Sequence, residues 1–176
     1  MEILLNEIEN QYYLNENMIF EKLNLNRKFE TKNEELNEIE MAIKRYLVTK
    51  GDNELQHHDG EKTFVSMRVY LLEEKERDSL YYVSAWVMDE KYYLENNELK
   101  KDSGSSMPYK FEVEKVNDEY VVIDSRYPRD GSYYAEDMKN MFDKYVRSDM
   151  EKIQTDGTID MLEMEVEEQA KLYFHK

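Results

Sequence analysis

Residues 107–147 read MPYKFEVEKVNDEYVVIDSRYPRDGSYYAEDMKNMFDKYVR, and this run decides the fold class. Tyr109, Phe111 and Val113 alternate with Lys110, Glu112 and Glu114, which predicts a strand with one wet face. Val116-Asn117-Asp118-Glu119 carries turn residues and predicts a hairpin. Residues 120–125 return with apolar side chains on both faces. Tyr127-Pro128 then leaves the sheet, because a residue before proline stays extended. Gly131 is expected to supply a positive φ angle, and Asp130 or Ser132 to cap the next helix. That helix shows Tyr134, Met138, Met141, Phe142 and Tyr145 on one face. Strand, turn, strand and helix in succession mean an antiparallel meander rather than a parallel sheet.

The same alternation extends upstream. Residues 62–72 place Val65, Met67, Val69 and Leu71 on one face and Phe64, Ser66, Arg68 and Tyr70 on the other. Residues 80–89 place Tyr81, Val83, Ala85 and Val87 opposite Tyr82, Ser84, Trp86 and Met88, the pattern of a central strand buried on both sides. Residues 73–79 read as a charged connection, Asn96-Asn97 as a turn, and residues 101–106 (Lys-Asp-Ser-Gly-Ser-Ser) as a small flexible loop. Val83, Trp86, Phe111 and Val122 are the expected buried positions.

Before the strands lies the best-defined helix, residues 31–51. Thr31-x-x-Glu34 forms a capping box, Leu36, Ile39, Ile43, Tyr46 and Leu47 form one stripe, and Gly51 reads as a stop. Residues 1–30 are rich in Asn and Glu and read as an N-terminal helical arm. After Asp156-Gly157-Thr158, a last helix carries Ile159, Leu162, Val166 and Ala170 inward and Asp160, Glu163, Glu167 and Lys171 outward. The domain reading is therefore an arm (1–30), an α+β core of one helix on a four-stranded antiparallel sheet (31–148), and a C-terminal helix packed on that core (149–176). Fifteen tyrosines, whose hydroxyls need water or a partner, add the expectation of a thin, half-exposed sheet.

Composition narrows function. Formal net charge is -16, which opposes nucleic acid or an anionic membrane as partner and permits a basic one. Residues 1–40 carry ten acids against four bases, and residues 149–176 eight against three. There is no cysteine, so disulfides, thiolate metal sites and a Cys nucleophile are excluded. No apolar run is long enough to span a bilayer, and residues 1–5 lack the basic start of a signal peptide. Gly104 stands alone without a phosphate-loop pattern, and no base lies beside Ser103, Ser105 or Ser106. His57-His58-Asp59 lies in a polar loop, where adjacent histidines do not match metal-ligand spacing, so no metal and no cofactor is expected. The glutamates around 163–168 lack di-iron spacing. The residues thus favour a non-enzymatic protein. The one segment suited to recognition is Arg126, Tyr127, Arg129, Asp130 and Tyr133, where arginines and tyrosines crowd a turn; the plainer and favoured reading is that Arg129 pairs with a local acid and the tyrosines pack under the sheet edge.

Residues 91–100 (Lys-Tyr-Tyr-Leu-Glu-Asn-Asn-Glu-Leu-Lys), Ser103-Gly104-Ser105-Ser106, residues 111–122, and Pro128-Arg129-Asp130-Gly131-Ser132-Tyr133-Tyr134 through Phe142 carry a family resemblance. This run resembles an uncharacterised Gram-positive bacterial domain, found as small lipoprotein-like envelope proteins and attached to sensor-type metallopeptidases of the beta-lactam regulator class. The similarity covers residues 40–147. Two departures stand out: Phe142 is followed by Asp143 where relatives have proline, and no signal or anchor is seen. The peptidase motif His-Glu-x-x-His is absent, so no protease activity carries over. The resemblance implies an extracytoplasmic binding or accessory module, with a cystatin-like or NTF2-like architecture by analogy. The alternative is an acidic cytosolic protein that neutralises a basic protein partner, as an immunity protein does.

Overall fold

The computed structural model describes residues 34–75 and 79–175, and residues from Glu34 onward form one compact unit. The expected arm and the Thr31 half of the capping box lie outside the described residues. The element order is α1 (Glu34–Asp52), β1 (Lys62–Lys75), β2 (Leu80–Glu95), β3 (Glu98–Val116) and β4 (Glu119–Arg126). After these come a 3-10 turn (Gly131–Tyr133), α2 (Tyr134–Met141), α3 (Lys144–Met150), a second 3-10 turn (Glu151–Gln154) and α4 (Thr158–Phe174). The four strands form one antiparallel sheet in chain order, β1-β2-β3-β4. The fold is α+β with a meander sheet.

Turn chemistry explains the two tight hairpins. Asn96 and Asn97 have φ of 51° and 65°, and Asn117 and Asp118 have 51° and 66°. Two successive left-handed residues suit the twist of a two-residue hairpin, and Asn and Asp tolerate that region best after glycine. Between these turns β3 is one long strand. Residues 101–106 are therefore strand, not the expected loop: Ser103, Gly104, Ser105 and Ser106 pair with Lys91, Glu90, Asp89 and Met88. The ladder offered by the long β2 outweighs the weak strand preference of serine and glycine. Likewise β1 runs on to Lys75, into the stretch expected as a connection, while β2 starts at Leu80 as expected.

One face of the sheet receives α1. Ile39, Ala42, Ile43 and Leu47 pack on Val65, Met67, Tyr81, Val83, Ala85, Val87, Phe111 and Val113. Each large side chain buried here contributes about 1.5–3 kcal/mol of transfer free energy. Polar contacts fix the docking angle: the Tyr81 and Tyr120 hydroxyls both donate to Glu35 Oε1, at 2.8 and 2.9 Å. Tyr46 Oη lies 3.0 Å from Ser125 Oγ. Gly51 is inside α1, which runs one residue further to Asp52, so it is not the stop.

The opposite face is covered too, which corrects the expectation of a half-exposed sheet. Phe64, Trp86, Met88 and Tyr92 pack against Met138, Phe142, Val146, Met150, Ile153, Leu162, Val166 and Ala170. Ser66 Oγ donates to the Leu162 carbonyl at 2.8 Å, and Gln169 Nε2 donates to the Val65 carbonyl at 3.1 Å, so α4 is tied to β1 at two points. Val83, Trp86 and Phe111 are buried as expected, whereas Val122, on the edge strand β4, is half-buried.

Two details depart from simple alternation. The β1–β2 register slips between Val69 and Leu71, leaving Tyr70 as an extra residue. A one-residue bulge swaps the faces of the side chains beyond it, so Leu71 packs with Trp86 and Leu72 returns to the α1 side. The expected single helix after the corner is two helices. Phe142 is extended (φ -124°, ψ 141°) and ends α2, while Asp143 (φ -63°, ψ 155°) starts α3. Tyr145 consequently leaves the apolar stripe and is exposed, and Tyr134 is also at the surface.

Candidate functional site

The recognition corner is built as its residues suggest, but its arginines, though exposed, are already paired with nearby carboxylates. Pro128 is buried, and Gly131 has φ 69° with open space around its Cα, so backbone angle rather than crowding calls for glycine there. Asp130 precedes the 3-10 turn without a side-chain cap bond, so the expected capping role is not taken by Asp130. Arg129 forks onto Asp137, with Nε and Nη2 each 2.8 Å from a carboxylate oxygen, and its backbone N–H donates to Oδ2 at 2.9 Å. Those three donors hold the Asp137 carboxyl down at about 2. The Arg129 guanidinium also stacks 4.4 Å over Tyr133. Arg126 donates to Asp124 at 2.6 Å and pairs with Glu112. Tyr127 leans to the other side, its ring 5.2 Å from Tyr109 and 5.8 Å from the Lys50 ammonium. Arg126 and Tyr127 thus serve opposite sides of the sheet.

A second polar cluster gathers where β2 ends, β3 begins and the α1–β1 loop crosses. Asp52 pins that loop, accepting from the Thr63 backbone N–H at 2.8 Å and from Lys62 Nζ at 3.0 Å. Within the loop the Glu61 N–H donates to the His58 carbonyl at 3.2 Å, closing a turn whose third residue is Gly60 at φ 73°. That is the position where a type II turn requires a left-handed residue. The turn brings Glu61 back beneath His57. Asp102 arrives from β3 by a bulge: Lys91 pairs with Ser103 and Tyr92 with Lys101, so Asp102 is the extra residue and is re-aimed out of the ladder.

His57 Nδ1 lies 3.1 Å from Asp102 Oδ2, and His58 Nε2 3.3 Å from Asp102 Oδ1. The His58 imidazole stacks on Tyr93 at 3.7 Å and 4°. The Ser103 hydroxyl, with help from His57, holds Asp102 below the ordinary carboxylate range. Glu61 is 1% exposed, and neither of its carboxylate oxygens has a hydrogen-bond partner. Its nearest cation is Lys91, at 3.8 Å, which also reaches Glu54 at 3.5 Å. Burial of an ionised carboxylate costs several kcal/mol unless paired and hydrogen-bonded, so Glu61 stands out. His57, Glu61 and Asp102 each place a ligand atom within 4.8 Å of the others.

The third feature is the outer side of α4. Asp160, Met164, Glu168 and Leu172 recur at four-residue spacing, and Glu163, Glu167 and Lys171 form the neighbouring row, all exposed. Between α4 and the β2–β3 hairpin runs a groove of about 720 Å³, lined by Tyr92, Leu99, Lys101, Glu163, Lys171 and Leu172 among others. Two of its lining residues hold a buried carboxylate, Glu90, which accepts from the Tyr92 hydroxyl at 2.6 Å and pairs with Lys101. Lys101 reaches on to Glu163 at 3.5 Å, bridging sheet and helix. Burial, then the Glu90 hydrogen bond, pushes the Tyr92 hydroxyl up.

No family model, curated protein or solved structure matches this chain. Among the described residues no helix is long and apolar enough to cross a membrane.

Proposed function

We propose that this chain is a non-enzymatic binding module, and that the outer face of α4 takes a basic segment of a protein or peptide partner. One observation carries the reading: Met164 (64% exposed) and Leu172 (43% exposed) sit in a row with Asp160 and Glu168, beside Glu163 and Glu167. Acidic rows raise the encounter rate with lysine and arginine. Exposed methionine and leucine then supply adaptable apolar contact. The adjoining groove gives a bound side chain somewhere to go. The Arg126–Tyr133 corner fits this function less well as the contact surface, because it presents arginines, which repel a basic segment, and the carboxylates beside them are taken up by those arginines.

The test uses a fluorescent amphipathic peptide of lysine and leucine, with binding read by anisotropy. Asp160→Lys with Glu168→Lys is expected to weaken binding by at least about tenfold, the effect of a well-placed interface charge change. The same charge change at the β3–β4 turn, Asp118→Lys with Glu119→Lys, is expected to leave it nearly unchanged. Affinity should fall steeply with salt. Equal losses in both double variants would reduce the effect to net charge and sink the α4 surface.

The family resemblance supports placing the module on the extracytoplasmic side of a bacterial envelope. The acidity equally supports the second reading, a cytosolic protein that neutralises a basic partner. Fractionation of the native gene product separates the two.

A further inference from the structure

We infer that His57, Glu61 and Asp102 form a binding site for a first-row divalent transition ion of the zinc type, a site separate from the α4 surface. Glu61 is the group that calls for it. A carboxylate this buried, with both oxygens lacking a hydrogen bond, needs a cation within reach. Lys91 lies 3.8 Å away, beyond hydrogen-bond range, and divides its charge with Glu54. A metal ion in front of Glu61 satisfies the carboxylate directly.

The geometry of the other two groups fits. Ligand atoms about 2.0–2.1 Å from a tetrahedral zinc lie about 3.3 Å from one another. His57 Nδ1 and Asp102 Oδ2 are already 3.1 Å apart. That edge is the one the ion would bridge, with His57 ligating through Nδ1 as the neutral imidazole that carries its proton on Nε2. Glu61 completes the group, with a carboxylate oxygen within 4.8 Å of the other two ligand atoms. His58 acts as a positioning residue. Stacked on Tyr93, it holds the far oxygen of Asp102 at 3.3 Å and orients the near one, as outer partners of metal ligands do. One imidazole and two carboxylates are a borderline donor set, suited to zinc or its first-row neighbours and less to calcium or magnesium, which take oxygen alone. The Gly60 turn and the Asp102 bulge are the two backbone devices that bring these residues together from 45 positions apart.

The test is calorimetric titration of the chain, free of any polyhistidine tag, with zinc chloride, and with calcium chloride for comparison. Zinc is expected to bind saturably at one equivalent, and calcium far more weakly. Glu61→Gln and His57→Ala are each expected to weaken zinc binding by at least about tenfold, and Lys91→Ala to strengthen it by removing a like charge. His57 is 57% exposed at its side chain, so His57→Ala keeps the test sound even where Glu61→Gln disturbs folding. His175→Ala is expected to change nothing. The site is overturned if zinc shows no saturable binding, if His57→Ala binds as the parent does, or if Lys91→Ala weakens binding, which would make Lys91 the structural partner of Glu61.

Discussion

Trp86→Ala probes the layer that joins the C-terminal helices to the sheet. Trp86 is 7% exposed and sits in the cluster with Met138, Met150 and Ile153, and its indole N–H donates to Ser106 Oγ at 2.9 Å. Truncation removes most of an aromatic side chain from a packed layer, which costs about 3–5 kcal/mol. Loss of the indole donor adds about 1 kcal/mol. With a urea slope of about 2 kcal/mol per molar, the unfolding midpoint should fall by roughly 2–3 M. Trp86→Phe keeps most of the ring volume and loses the donor, so it should cost about 1–2 kcal/mol. Far-UV circular dichroism is the suitable probe, since Trp86 is the sole tryptophan and both variants abolish its fluorescence. A loss under about 1 kcal/mol for Trp86→Ala would mean that α2 and α3 do not seal this face.

The Arg129–Asp137 fork should show itself in acid. The folded carboxyl of Asp137 titrates at about 2, below its ordinary 3.8, so its contribution is present above pH 4 and is lost as pH falls toward 2. Carboxyl-detected NMR should find that midpoint, and Arg129→Ala should return it toward 3.8; an unmoved midpoint would show that Arg129 is not its partner. Asp143→Pro tests the break between α2 and α3. Asp143 already has φ -63° and comes after an extended residue, so proline fits the backbone and should raise stability by about 0.4–1 kcal/mol in thermal unfolding. A clear loss would mean that the Asp143 N–H or side chain is needed where it stands.

The sequence carried the sheet because side-chain alternation in β2 is uninterrupted, and Asn-Asn and Asn-Asp announced the hairpins. The bulge at Tyr70 was not legible, since both Leu71 and Leu72 are apolar and either can face inward. Residues 101–106 misled for a related reason. Their composition is loop-like, and their strand character comes from β2 alongside. The corner was readable as a backbone device through Pro128 and Gly131. That Arg129 pairs with a local acid was readable too; which acid it is was not, since Asp137 lies eight residues on, and the Glu112 partner of Arg126 lies fourteen residues before it on the neighbouring strand. The His57 cluster was missed because two adjacent histidines match no ligand spacing. Asp102 reaches them only through a bulge, and the burial of Glu61 comes from tertiary packing.

The central claim is that α4 presents the binding surface. The most direct measurement is a ¹⁵N–¹H NMR titration of the chain with the lysine–leucine peptide. Saturating shifts are expected in the exposed residues of α4, Asp160 through Leu172, and at Lys101 across the groove, and nowhere else. Shifts centred on Arg126 to Tyr133 instead, with α4 unmoved, would contradict it.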